Sequence, residues 1–163
     1  MHNSSNVMPL TQQAATESAL ESRIPRFPEK RKGITRLLAI DDEKDYLSFI
    51  EVAAEDLGFE VFTLEDSTAF ETVFSAFKPD ILVVDIMMPW FDGIEIARYL
   101  AGSVEAKKVI FMSAQRAAYG EYAKTLADPH GIHSVHAISK PIHLGPFRDL
   151  LLHLSDNSAI SKP

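Results

Sequence analysis

Three uninterrupted apolar runs, at residues 37–40, 81–84 and 109–112, alternate with stretches patterned for helices. This alternation limits the fold more than any other feature of the chain. Two further strand candidates, 61–64 and the less apolar 135–138, complete the pattern. The first helix is expected over 46–57, with Leu47, Ile50, Ala54 and Leu57 on one face and Gly58 as its stop. The second covers 67–77, where Phe70, Val73, Phe74 and Phe77 recur at helical spacing. Ile94, Ala97 and Leu100 mark a third helix that stops at Gly102. A fourth covers 117–126. The last covers 144–154 and turns Phe147, Leu150, Leu151 and Leu154 inward. The order is therefore β-α, five times over. Such an order forces parallel strands joined by right-handed crossovers. Continuous apolar runs are what strands covered on both faces need. The expectation is one doubly wound α/β domain over about residues 36–155, with its last strand at an edge.

Composition fits that reading. A chain of 163 residues, 46% apolar, has material for a single core. The absence of cysteine excludes a disulfide scaffold, a thiolate metal site and a cysteine nucleophile. No apolar stretch approaches the roughly 18 residues of a membrane span, and the start lacks a basic-then-apolar signal pattern. A cytoplasmic protein without a membrane partner is expected. The net charge of -7 argues against direct nucleic-acid binding. That charge is uneven: residues 1–36 hold six basic and three acidic groups, and the acid lies beyond them. Residues 1–35 read as a polar, basic leader, expected to be disordered, in which Pro25 and Pro28 interrupt any helix. Residues 156–163 read as a polar tail or linker stub.

In an open parallel sheet, ligands bind outside the carboxyl ends of the strands. The first apolar run ends in Asp41 and Asp42, the third strand in Asp85, the fourth in Ser113 and Ala114, and the fifth in Lys140 and Pro141. Three carboxylates, a hydroxyl and an ammonium thus aim at one crevice. Two like charges about 4 Å apart cost roughly 4 kcal/mol at an effective dielectric near 20. Lys140 or a hard divalent cation must offset that, and Mg²⁺ suits so oxygen-rich a set. Mg²⁺, a lysine and a hydroxyl together match the three outer oxygens of a phosphoryl group. Asp85 is then the carboxylate left to attack phosphorus. Singly, Asp41 or Asp42 could cap a helix, Ser113 could be a loop hydroxyl and Lys140 a solvated charge. Asp85, at the end of a buried strand, has no such alternative role.

The residues Leu37-Leu38-Ala39-Ile40-Asp41-Asp42-Glu43, Asp85 through Gly93, Met112-Ser113-Ala114 and Ser139-Lys140-Pro141 together resemble a response-regulator receiver domain over about residues 36–155. The resemblance implies a flavodoxin-like (βα)5 fold with strand order 2-1-3-4-5. It implies phosphorylation of Asp85, with Mg²⁺ held by Asp41, Asp42, Asp85 and the Met87 carbonyl, Asp41 acting largely through water. Ser113, Ala114 and Lys140 would take phosphoryl oxygens, and the Lys140–Pro141 bond would be cis. The donor would be a phosphohistidine on a sensor histidine kinase or a histidine phosphotransfer protein. Catalysis would be limited to self-phosphorylation and slow autodephosphorylation, with no separate output enzyme in the chain.

Two departures stand out. Receivers usually carry Tyr or Phe three residues before the lysine; here that position is Ala137, and His136 beside it faces the other way. The stretch between Ser113 and Lys140 is also longer than in a plain receiver, and it is similar to receivers attached to cyclic-di-GMP phosphodiesterase outputs. The alternatives are a degenerate receiver that only binds protein, or the N-terminal regulatory part of a longer regulator. A flavin-type carrier needs a glycine- and hydroxyl-rich cradle where this chain has Asp41-Asp42-Glu43. A small-molecule phosphatase needs a second acid where it has Met87. His130, His133 and His136 recur every three residues, but Pro129 and Gly131 favour a turn over a metal-binding helix face. Trp90 and Phe91 suit loop packing or a partner contact, and Leu152 on the last helix suits a homodimer surface or the core.

Overall fold

The computed structural model describes residues 25–88, 93–101, 108–114 and 134–156. Five parallel strands form one sheet in the order β2-β1-β3-β4-β5. They are β1 (Arg36–Ile40), β2 (Glu60–Leu64), β3 (Ile81–Asp85), β4 (Lys108–Ser113) and β5 (Ser134–Ser139). The described helices are α1 (Lys44–Glu55), α2 (Phe70–Phe77), α3 (Gly93–Ala101) and α4 (Leu144–Asp156). The helix expected over 117–126 lies outside the described residues, as do His130, His133, Trp90 and Phe91.

Alternate residues of each central strand feed two separate cores, because successive side chains of a strand point to opposite faces. On one face Leu38, Ile40, Leu82, Val84, Val109 and Phe111 meet α2 and α3. On the other, Leu37, Ala39, Ile81, Val83, Ile110 and Met112 meet α1 and α4. The sheet is thus wound on both sides, in the flavodoxin-like manner expected. β5 is one edge and β2 the other, and the residues of β5 are half-buried or exposed. On α4, Phe147, Leu151 and Leu154 are buried, whereas Leu152 is exposed.

Local signals set the helix ends. Gly58 has φ +83°, the left-handed conformation that lets the chain leave α1 and enter β2. Asp66 accepts the Thr68 N–H and hydroxyl, and this cap winds residues 67–69 into a 3-10 turn ahead of α2. The second helix is therefore split where the sequence pattern ran straight through.

Part of the stretch 25–35, assigned by composition to the leader, is anchored to the body through Phe27, the Pro28 carbonyl and Lys30. Phe27 sits edge-on to Phe62 at 4.8 Å and beside Phe77 at 4.9 Å. Arg36, counted with the basic leader, is instead buried at the start of β1. Its guanidinium grips both carboxylate oxygens of Glu60, at 3.0 and 3.1 Å, and donates to the carbonyls of Phe77 (2.8 Å) and Pro28 (2.6 Å). Its own amide donates to Asp80, which also pairs with Lys30. A planar guanidinium can be buried when this many of its donors are matched. Phe27→Ala is expected to lower unfolding free energy by about 1–3 kcal/mol, while Lys30→Ala lowers it by less than about 1. Urea denaturation of the two variants checks this; equal effects would contradict the packing role of the ring.

Candidate functional site

Parallel registration brings the strand ends into line. Ile40 of β1 lies opposite Val84 of β3, so Asp41 and Asp85 emerge side by side. Met112 of β4 lies opposite Asp85, and Ser113 opposite Ser139 of β5. The Lys140 amide then donates to the Ser113 carbonyl at 3.0 Å, which ties the residue after β5 to the end of β4. The Lys140–Pro141 bond is cis, as expected.

The Lys140 ammonium is the centre of the cluster. It lies 2.9 Å from Asp41 Oδ2, 2.9 Å from Asp85 Oδ2 and 3.2 Å from Glu43 Oε1. The ring of Tyr46, in the first turn of α1, has its centroid 4.0 Å from Nζ. Asp85 Oδ1 accepts the Met87 amide at 3.1 Å, and Asp41 Oδ1 accepts the Glu43 amide at 2.9 Å. Each carboxylate is thereby fixed by a backbone N–H two residues on. Asp41 is fully buried, Asp85 and Ser113 are buried, and Asp42, Ala114 and Met87 are exposed.

Burial raises the Asp41 pKa above its usual value, and the charge of Asp85 adds to the rise; Lys140 and the Glu43 amide oppose it without cancelling it. Burial by itself lowers the Lys140 pKa. Its bond to Asp85, its close contact with Asp41, and the charges of both outweigh burial and raise its pKa. The ammonium therefore stays charged throughout the neutral range.

Carboxylate oxygens of Asp41, Asp42 and Asp85 come within 4.8 Å of one another. Asp41 Oδ2 is buried and, although close to the lysine, has no aligned hydrogen bond. A buried acceptor with a spare lone pair, in an all-oxygen set, fits a hard divalent cation such as Mg²⁺. Asp41, Asp42, Asp85 and Lys140 come together here, with the Met87 amide bonded to Asp85 and the Ser113 carbonyl bonded to the Lys140 amide. Glu43 and Tyr46 were missed as partners of Lys140. Their positions at the entry to α1, directly after the acidic pair, were the available signal. His136 is elsewhere, bonded to Ser134 at 2.6 Å on β5. Ala137 is exposed on the same strand.

The strand order and the crevice define a flavodoxin-like α/β protein with a carboxylate–lysine cluster at its strand ends. A family model described as the response regulator receiver domain matches residues 37–151. The chain is 33% identical over 93 residues to the protein RcaC of Microchaete diplosiphon, covering 56% of this chain and 13% of RcaC. It is 29% identical over 105 residues to the transcriptional regulatory protein TrcR of Mycobacterium tuberculosis, covering 64% of this chain and 41% of TrcR. The chain thus spans less than half the length of these relatives. Among solved structures, a response regulator from Colwellia psychrerythraea is 26% identical with TM-score 0.63, covering 76% of this chain and 98% of that one. The receiver domain of a Francisella response regulator superposes with TM-score 0.63 at 23% identity, covering 76% of this chain and 98% of that one. The chain belongs to the response regulator receiver family of two-component signalling. Histidine kinases are the general partners of that family, and its domains generally bind Mg²⁺.

The two pKa shifts set a sign. Lys140 holds a raised pKa, so its stabilising contribution is complete at neutral pH and is lost only in strong alkali. Asp41, also raised, is the carboxylate whose ionised form is opposed by folding; protonating it toward acid pH relieves the cluster. Lys140→Met leaves buried carboxylates unpaired and is expected to destabilise by about 3–5 kcal/mol at neutral pH. The deficit should shrink as the pH falls toward the acid range. Urea melts of both proteins across that range check it, and a deficit that grows in acid would contradict the assignment.

Proposed function

We propose that the chain is a phosphoacceptor switch in which Asp85 takes a phosphoryl group from a phosphohistidine. The donor is a sensor histidine kinase or a histidine phosphotransfer protein. The supporting observation is the Lys140 ammonium, 2.9 Å from both Asp41 and Asp85, at the carboxyl end of the central strands. In the step, an Asp85 carboxylate oxygen attacks phosphorus in line. The phosphorus–nitrogen bond to the donor imidazole breaks, its electron pair stays on nitrogen, and a solvent proton neutralises the leaving ring. An acyl phosphate results.

Each residue of the cluster has a part. The Met87 amide fixes the rotation of the Asp85 carboxylate through Oδ1. Lys140 exchanges Asp85 Oδ2 for a phosphoryl oxygen. The Ser113 hydroxyl and the Ala114 amide take the remaining oxygens, matching the charge that spreads over all three in the transition state. Asp41, Asp42, Asp85 and the Met87 carbonyl would hold Mg²⁺, which supplies charge neutralisation between carboxylates and phosphoryl group when bound. Ala137 offers no ring, so the change at the site reaches the partner-binding surface through Ser113 and Lys140, at the ends of the two outermost strands on that side.

Radiolabelled acetyl phosphate with Mg²⁺ tests this reading. The wild-type chain should become labelled, chelation of the metal should stop it, and Asp85→Asn should accept no label. Beryllofluoride with Mg²⁺ should change the fluorescence of Trp90, the single tryptophan. An unlabelled wild type, or an Asp85→Asn variant labelled equally well, would refute the reading.

A further inference from the structure

Lys140 has two kinds of neighbour. Asp85 and Glu43 accept its N–H donors, and the Asp41 carboxylate lies 2.9 Å away as an ion pair. The Tyr46 ring, half-buried in the first turn of α1, meets the same nitrogen with its face, 4.0 Å from centroid to Nζ. The electron-rich face of an aromatic ring attracts a cation without a lone-pair direction. These neighbours differ when the site is used. The bond to Asp85 Oδ2 must be exchanged, and Glu43 is exposed and screened by water. The ring contact is indifferent to which oxygen each N–H faces, and its side chain is carried by a helix whose Leu47 and Ile50 are locked into the core.

We propose that Tyr46 is a positioning residue for phosphoryl transfer: its ring face holds the Lys140 ammonium in place while one N–H moves from Asp85 to the incoming phosphoryl oxygen. This rests on the phosphoacceptor reading above. The attraction needs an aromatic face and not a hydroxyl, so phenylalanine should serve and an aliphatic residue of similar bulk should not. It also has a signature independent of turnover. The carbon next to Nζ is one bond from a nitrogen 4.0 Å from the ring centroid, so its protons should be shielded by the ring current.

The experiment compares the full chain with Tyr46→Phe and Tyr46→Leu, adding Tyr46→Met should the leucine variant fail to melt cooperatively. Acetyl phosphate labelling rates are measured with Mg²⁺, together with the Lys140 side-chain proton shifts by NMR. The expected result is a labelling rate for Tyr46→Phe close to wild type and a loss of roughly three- to thirtyfold in the aliphatic variant. The upfield shift of the Lys140 protons should be present in wild type and Tyr46→Phe and absent in the aliphatic variant. Labelling of the aliphatic variant at the wild-type rate would overturn the proposal. So would a phenylalanine variant as slow as the aliphatic one, or Lys140 protons unshifted in the wild type. A wild type that takes no label while showing the ring shift would instead refute the phosphoacceptor reading.

Discussion

Helices cover this sheet on both faces, and that covering decides where charge can go. The interior of β1, β3 and β4 is apolar on both sides, so ionised groups collect at the two ends of the strands. The ends solve the problem differently. At the amino end, one guanidinium is satisfied by fixed oxygens: both of Glu60 and the carbonyls of Phe77 and Pro28. At the carboxyl end, one ammonium is shared among three carboxylates and a ring. Arginine's planar fork suits a permanent joint, whereas lysine's point charge can change partners without reorienting a plane. The chemistry of the domain sits at the lysine end.

The same contrast separates what the sequence displayed from what it concealed. Strand ends were legible because buried parallel strands need continuous apolar runs, and a polar residue closing such a run stands out. Asp41, Asp85 and Ser113 were visible on that ground, and Lys140 through its place after the weaker fifth strand. Arg36 was not, because a basic residue following Arg31 and Lys32 looks like more of the same solvated stretch. Its burial depends on Glu60 and Phe77, which only the fold brings near. Phe27 was hidden in the same way between two prolines. Tyr46 was concealed by its own helix: it lies outside the apolar stripe of Leu47, Ile50 and Ala54, which ordinarily means solvent. Only the return of the chain nearly a hundred residues later gives its ring a cation. The split of the second helix at residues 67–69 arose from a side-chain cap, which a search for helical spacing does not register.

The placement of acceptor and cation within the sheet adds a mechanical distinction. Asp85 closes β3, which is hydrogen-bonded to β1 on one side and β4 on the other. Lys140 follows β5, which is paired on one side only. The group proposed to be modified is thus on a strand braced from both sides, and the group that responds is beside an edge strand. Ser113 lies between them and is bonded through its carbonyl to the Lys140 amide, so the two move as neighbours.

The long reach of the Lys140 contacts also bears on how the protein is made. Asp41, Asp42 and Asp85 leave the ribosome well before Lys140, and until β5 pairs with β4 the three carboxylates have no lysine to offset them. A nascent or proteolytically clipped chain ending before β5 would hold the acids without their counter-charge. The crevice is therefore a test of completeness: it can assemble with its cation in place only in a molecule whose last strand has been synthesised and added to the sheet.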